Sequence, residues 1–328
     1  MKIDLLPHYA GKHLMQVPTL CAKIVDSMNK DGCVLLHTFE PHNPENNGLY
    51  DLLDQLCDYY AWDKSKICII LPNPTFSHSE YNTVSTKMYP FEGLDNPMVP
   101  VYPWNYEKSY GMFIGRSSSA RIGALYNHLN FKFKDQGVTS FHSAIRNDIR
   151  SLSEYLVASG RNKSTVEDIQ PYSDIGQVYY GPIWNDRKNM LSTNWSTVYK
   201  QIGIEIICET STEPNCYGIT EKTLRPLFYK RPFLIIGSKG YVKFLKEKGI
   251  KTFEPIISDD YDNLEELERV DCVFSILEDL IVNNKLQVLH EKFQDVLKHN
   301  QHKIFELKKE LGTSLKEHYQ YIESIPGY

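Results

Sequence analysis

The residues best equipped for chemistry lie in one run, IEIICETSTEPNCYGITEKTLRPLFYKRPFLIIG, from Ile204 to Gly237. It holds two carboxylates (Glu209, Glu221), an ammonium (Lys222) and a guanidinium (Arg225), with Thr220 placed to cap a helix that starts at Glu221. A nucleoside diphosphate asks for this set: helix-start amides and cations for the phosphates, and a carboxylate for the ribose hydroxyls. Glu221 and Arg225, one turn apart, also read as an ordinary exposed ion pair.

The surrounding pattern says how these groups would be held. Ile204-Glu205-Ile206-Ile207-Cys208 reads as a buried strand, Glu209 to Gly218 as a polar loop, and the helix ends near Pro232, before a second strand Phe233 to Gly237. Open α/β sheets bind ligands at the carboxyl ends of such strands. A second strand and turn, Tyr110 to Arg116, leads through Ser117-Ser118-Ser119 into a serine-capped helix, so that Arg116 and Arg121 can both reach an anion at its start. Earlier in the chain, a helix over 14–29, a strand Cys33 to Phe39, a helix Tyr50 to Tyr60 and a strand Lys66 to Leu71 give the rhythm of a first Rossmann-like domain. Glu40 then stands at a strand's carboxyl end, with His37 and His42 nearby.

Residues 77–105 carry four prolines and read as irregular loops, Ser151 to Ser159 as a polar helix, and the tract ending at Tyr199 as another helix. Trp184 and Trp195 are taken as core aromatics. Beyond Gly237 a helix holding Tyr241 and Phe244 is expected, then a strand and an acidic loop over Ile256 to Asp262, and finally a long amphipathic helix from Leu286 to Leu315. Asp260-Tyr261-Asp262 has the form of a metal-binding D-x-D but is read as a turn.

The run from Cys208 resembles the donor-binding half of the α-1,3-fucosyltransferases, whose signature has the form F-E-N-S, Y-I-T-E-K, W-R and V-P-V-V-L-G. Here it stands as Cys208-Glu209-Thr210-Ser211, Gly218-Ile219-Thr220-Glu221-Lys222, Leu224-Arg225 and Pro232-Phe233-Leu234-Ile235-Ile236-Gly237. Thr210 replaces the family's Asn, and the loop before Ile219 is longer by about two residues. The likeness covers roughly residues 110–290 in pattern, with Phe39-Glu40-Pro41 a further match in the first domain. It implies a glycosyltransferase of the kind carried by large viruses and phages, in which Arg121 matches the family's Arg and Glu40 acts as general base on the acceptor hydroxyl.

The composition, 41% apolar and 12% aromatic, fits a globular protein. With 328 residues the chain is long enough for two domains. All of its net charge of −5 falls in residues 1–109, so that domain carries no basic footprint for nucleic acid. No apolar run approaches the roughly 20 residues of a membrane helix, and the first residues lack the apolar core of a secretion signal, so no membrane span and a cytoplasmic location are expected. Seven cysteines with no C-x-x-C spacing read as reduced core residues.

The resulting expectation is an α/β chain of two Rossmann-like domains in the arrangement called GT-B, with a long C-terminal helix: an acceptor-side domain over 1–108, a donor domain over 109–285 and a helical segment over 286–328. Its donor would be a GDP- or UDP-sugar bound by Arg116, Arg121, Glu209, Thr220, Glu221, Lys222 and Arg225, with Glu40 as base, no metal, and a glycan or small molecule as acceptor. A phage-type DNA glycosyltransferase acting on 5-hydroxymethylcytosine is the alternative acceptor reading, and a non-catalytic nucleotide-binding module the alternative of another class. An oxidoreductase is disfavoured because no G-x-G-x-x-G follows the first strand. The C-terminal helix reads either as a brace or as a homo-oligomer contact.

Overall fold

The computed structural model describes residues 2–5, 18–38, 44, 48–71, 78–85, 106–114, 118–141 and 193–324. The chain is α/β with parallel sheets, of a Rossmann-like kind, and separates into two compact units. The first gathers residues 1–90, 213–220 and 307–328; the second gathers 91–212 and 221–306.

The first unit holds strands β1 (Lys2–Leu5), β2 (Val34–Thr38), β3 (Ile67–Leu71) and β4 (Asn82–Ser85), parallel and in that order. Helix α1 (Pro18–Asp31) leads into β2, and α2 (Leu49–Tyr60) runs between β2 and β3. The helical period of Leu20, Ile24 and Met28 meets the two-residue period of Val34, Leu36, Ile67 and Ile69 in one core, while Leu35, Cys68 and Ile70 pack together on the opposite side of the strands. Both faces are therefore covered, which is why these strands read as continuous apolar runs. Glu40 and His42 lie outside the described residues, as does the side chain of His37, so the structure places β2 but not the proposed base.

The second unit is built on β5 (Lys108–Ile114), β6 (Gly137–Phe141), β7 (Ile202–Cys208) and β8 (Phe233–Ile236), parallel in the order β6-β5-β7-β8. Helix α3 (Ser119–Asn130) follows β5, α4 (Thr193–Gln201) precedes β7, α5 (Glu221–Phe228) joins β7 to β8, and α6 (Tyr241–Glu247) follows β8. Every residue of β7 is buried. The polar helix expected over Ser151 to Ser159 and the aromatic tract around Trp184 lie outside the described residues.

Three expectations are corrected. The tract 77–105 is not all irregular loop: Asn82–Ser85, ahead of its prolines, forms β4 and pairs in parallel with β3. No strand forms ahead of the acidic loop: Pro255 withdraws a backbone donor there, and Ser258 instead caps a short 3₁₀ turn over Asp259–Asn263 by accepting from Asp260 N–H at 3.2 Å. The C-terminal helical stretch is also not one rod. It comprises α7 (Glu266–Val282), α8 (Lys285–Lys292) and the 31-residue α9 (Gln294–Ser324), with breaks at Asn283-Asn284 and Phe293. Within the second unit these helices act as braces. His290 bonds the Gly203 carbonyl at 2.8 Å, Asn300 exchanges two 2.8 Å bonds with the Lys251 backbone, and Gln301 donates to the Phe228 carbonyl at 2.7 Å.

Gly203, at the start of β7, shows how close this packing is. A Cβ there would lie 2.8 Å from the Ser109 carbonyl oxygen on β5, a backbone atom that cannot swing aside. We expect Gly203→Ala to lower the unfolding free energy by about 1–3 kcal/mol in urea titration. A neutral result would mean that the β5–β7 pair is looser than described.

Candidate functional site

The carboxyl end of β7 and the first turn of α5 gather most of the predicted residues. The backbone leaves the strand at Glu209, whose side chain is 2% exposed and turned inward. One carboxylate oxygen accepts from Thr223 Oγ1 at 2.5 Å and from Tyr241 Oη at 3.2 Å, and the other accepts from Thr210 N–H at 2.9 Å. A ribose hydroxyl would have to displace or join these donors, so Glu209 as placed fixes the loop first.

Arg121 enters from α3, whose start is capped by Ser118. Its guanidinium donates to the Glu209 carbonyl at 2.6 Å and to the Cys208 carbonyl at 3.4 Å, and the residue is 3% exposed. It places positive charge at the strand's end while bonding two backbone carbonyls there. Glu266, in the first turn of α7, takes one hydroxyl into each of its oxygens, from Ser119 and from Thr212, which ties the start of α3 to the loop after β7.

Thr220 is buried directly before α5. Lys222 reaches the same rim, with its Nζ 2.6 Å from Glu221 Oε1 and 3.1 Å from Thr210 Oγ1. Burial pushes the Glu221 carboxyl up, but Lys222 and then Arg225 together outweigh it and hold the group down at about 2. Glu221 and Lys222 thus form the polar, solvent-reaching part of the cluster, with Thr210 beneath the ammonium.

Arg225 departs from the expected exposed pair. It is 7% exposed, its guanidinium lies 4.2 Å above the Trp195 ring and 5.9 Å from that of Phe113, and it faces Glu205 Oε1 at 3.7 Å. Glu205 also accepts from the Tyr199 hydroxyl. Burial drives the Glu205 carboxyl up to about 7, although Arg225 and the Tyr199 hydrogen bond pull the other way and Glu209 adds to the rise. The sequence reading passes over Glu205 and treats Trp195 as plain core. The signal available was a carboxylate inside a run of β-branched residues, since a buried charge must find a partner, and the helix that follows a parallel strand is where one would come from.

Arg116 lies outside the described residues. The Asp260-Tyr261-Asp262 motif is spent on structure: Asp262 accepts from Val242 N–H and Lys243 N–H, both at 3.0 Å, at the start of α6, and the Tyr261 hydroxyl accepts from Ile235 N–H at 3.1 Å. Among the described residues, no group of three or more His, Cys, Asp or Glu side chains could hold a metal ion, and no helix is long and apolar enough to cross a membrane. The seven cysteines are free thiols; burial raises that of Cys208 to about 12, so it offers no ready nucleophile. No protein-family model, curated protein or solved structure matches the chain.

The raised carboxyl of Glu205 has a signed consequence for stability. The folded chain holds this proton more tightly than an ordinary carboxyl at 4.5, so the contribution is complete below that value and is lost as pH rises through about 7. Glu205→Gln removes the loss. In urea unfolding, the variant's stability relative to wild type should climb between pH 5 and 8 by on the order of 1–3 kcal/mol. A difference that stays constant over this range would place Glu205 in a charge state fixed by its partners.

Proposed function

We propose that the protein is a nucleotide-sugar-dependent glycosyltransferase that moves a sugar from a nucleoside-diphosphate donor to a hydroxyl of a glycan or small molecule. The observation that carries this reading is Lys222. Its ammonium sits in the first turn of an eight-residue helix, against Thr210 and Glu221, at the carboxyl end of a parallel strand. In an α/β fold this is where a diphosphate is met by helix-start amides and a cation, and where a carboxylate can accept from ribose hydroxyls. The resemblance of the same run to the α-1,3-fucosyltransferases supports it, as does the presence of two parallel-sheet units, which a GT-B enzyme requires.

In the proposed reaction the acceptor oxygen forms a bond to the anomeric carbon as the bond from that carbon to the diphosphate breaks. The electron pair leaves with the nucleoside diphosphate, whose growing negative charge Lys222 offsets, and the acceptor proton passes to a carboxylate base, the role assigned to Glu40. Attack opposite the leaving group inverts the centre. Arg121, Glu205 and Arg225, being buried, act from behind the rim.

The test is a thermal-shift panel of GDP, UDP, CDP and ADP with their sugar nucleotides on wild type and Lys222→Ala. One base class should raise the wild-type melting temperature, and Lys222→Ala should weaken its binding by about tenfold or more. If no nucleotide shifts the wild type, the proposal is wrong. If Lys222→Ala binds as wild type does, the nucleotide lies elsewhere.

A further inference from the structure

The buried pair beneath α5 is unusual in where it sits. Glu205 occupies β7 opposite Gly111 on β5 and Phe233 on β8, so it is held inside the sheet with strands on either side. A carboxylate there is costly, and a pair of apolar residues of similar volume would fill the space at less cost. Its cation faces it at 3.7 Å, with the guanidinium resting on Trp195. One turn earlier on the same helix is Glu221, whose carboxyl Arg225 also helps to hold ionised. One guanidinium therefore stands between a carboxylate in the core and a carboxylate on the rim.

We infer that Glu205 is a positioning residue of the nucleotide site: acting through Arg225, which it and Trp195 hold in place, its charge sets how strongly the first turn of α5 attracts a diphosphate. This rests on the nucleotide-binding reading above. When Glu205 is ionised, Arg225 is largely neutralised from below. When Glu205 carries a proton, the positive charge of Arg225 adds to that of Lys222 toward an anion. Among the described residues, the charged and titratable groups facing Glu205 are Arg225 from α5, Tyr199 from α4 and, just past the end of β7, Glu209; Tyr229 stacks on Tyr199 at 4.4 Å. With burial raising its carboxyl to about 7, Glu205 changes charge near neutrality.

The experiment is isothermal titration of wild type and Glu205→Gln with the nucleoside diphosphate that the thermal-shift panel selects, from pH 5.5 to 8.5. Glu205→Gln mimics the protonated form, and comparing the two proteins cancels the ligand's own titration. The ratio of wild-type to variant Kd should be near one at the acid end and rise to about fivefold at the alkaline end. In an Arg225→Met background the substitution should leave Kd unchanged at every pH. A ratio that is flat with pH, in two proteins that both stay folded over this range, overturns the inference and leaves the nucleotide site standing. Absence of nucleotide binding by the wild type removes both. Should Glu205→Gln not fold, Tyr199→Phe replaces it: loss of the hydrogen bond to the ionised form must move the wild-type pH dependence upward, and an unmoved profile overturns the inference equally.

Discussion

A carboxylate shut away from water must be met by donors from the protein itself, and at Glu209 that requirement ties together the carboxyl edge of the second unit's sheet. Its side chain draws on Thr223 of α5 and Tyr241 of α6, and its carbonyl draws on Arg121 of α3. Three helices that follow three different strands are thereby referred to one residue at the end of β7. Loss of any donor leaves a buried acceptor short of a partner, an outcome that costs more than the bond itself contributes. The loop carrying Thr210 inherits this order, because its first amide closes the same carboxylate.

A second layer of ties holds that edge from outside. Glu266 joins Ser119 to Thr212, Arg269 donates to the carbonyls of Gly237 and Leu264, and Asp262 receives the opening amides of α6. The stretch from Asp262 to Arg269 thus bonds to the segments that follow β5, β7 and β8. Parallel sheets leave this end of the strands to loops, and loops hold position only as well as their backbone groups are satisfied. The few side chains left at the rim, Lys222 and Glu221 above all, stand on a base with little freedom to give.

Most strands and helices of the second unit were legible because their apolar residues recur with the right period: β7 and β8 as short apolar runs, α5 from Thr220-Glu221-Lys222 at one end and Pro232 beyond the other; β6, with Gly137, Thr139 and Ser140 among its five residues, has no such run and was missed. What the period does not carry is which side chains meet across elements. Arg225 shares a helical face with Glu221, and sequence spacing alone makes them partners; packing instead turns Arg225 onto Trp195 and toward Glu205. Glu205 was visible as an anomaly in an apolar run, but its cation lies on the next helix and its hydroxyl donor on the previous one. The strand expected before the acidic loop failed because Pro255 interrupts a run already short, and hydrogen-bonded turns outcompeted it.

The division of the chain also bears on its synthesis. The first unit takes residues from three separate stretches, the last beginning at Leu307, whereas the second is complete at Glu306. A ribosome working from the amino terminus therefore releases every residue of the second unit before it has supplied the last part of the first. The polar edge around Glu209 can be assembled on a nascent chain while the unit that emerged earliest still waits for its final helical segment. The unit begun first is thus still short of a stretch that starts at Leu307 when the last residue of the second has been added.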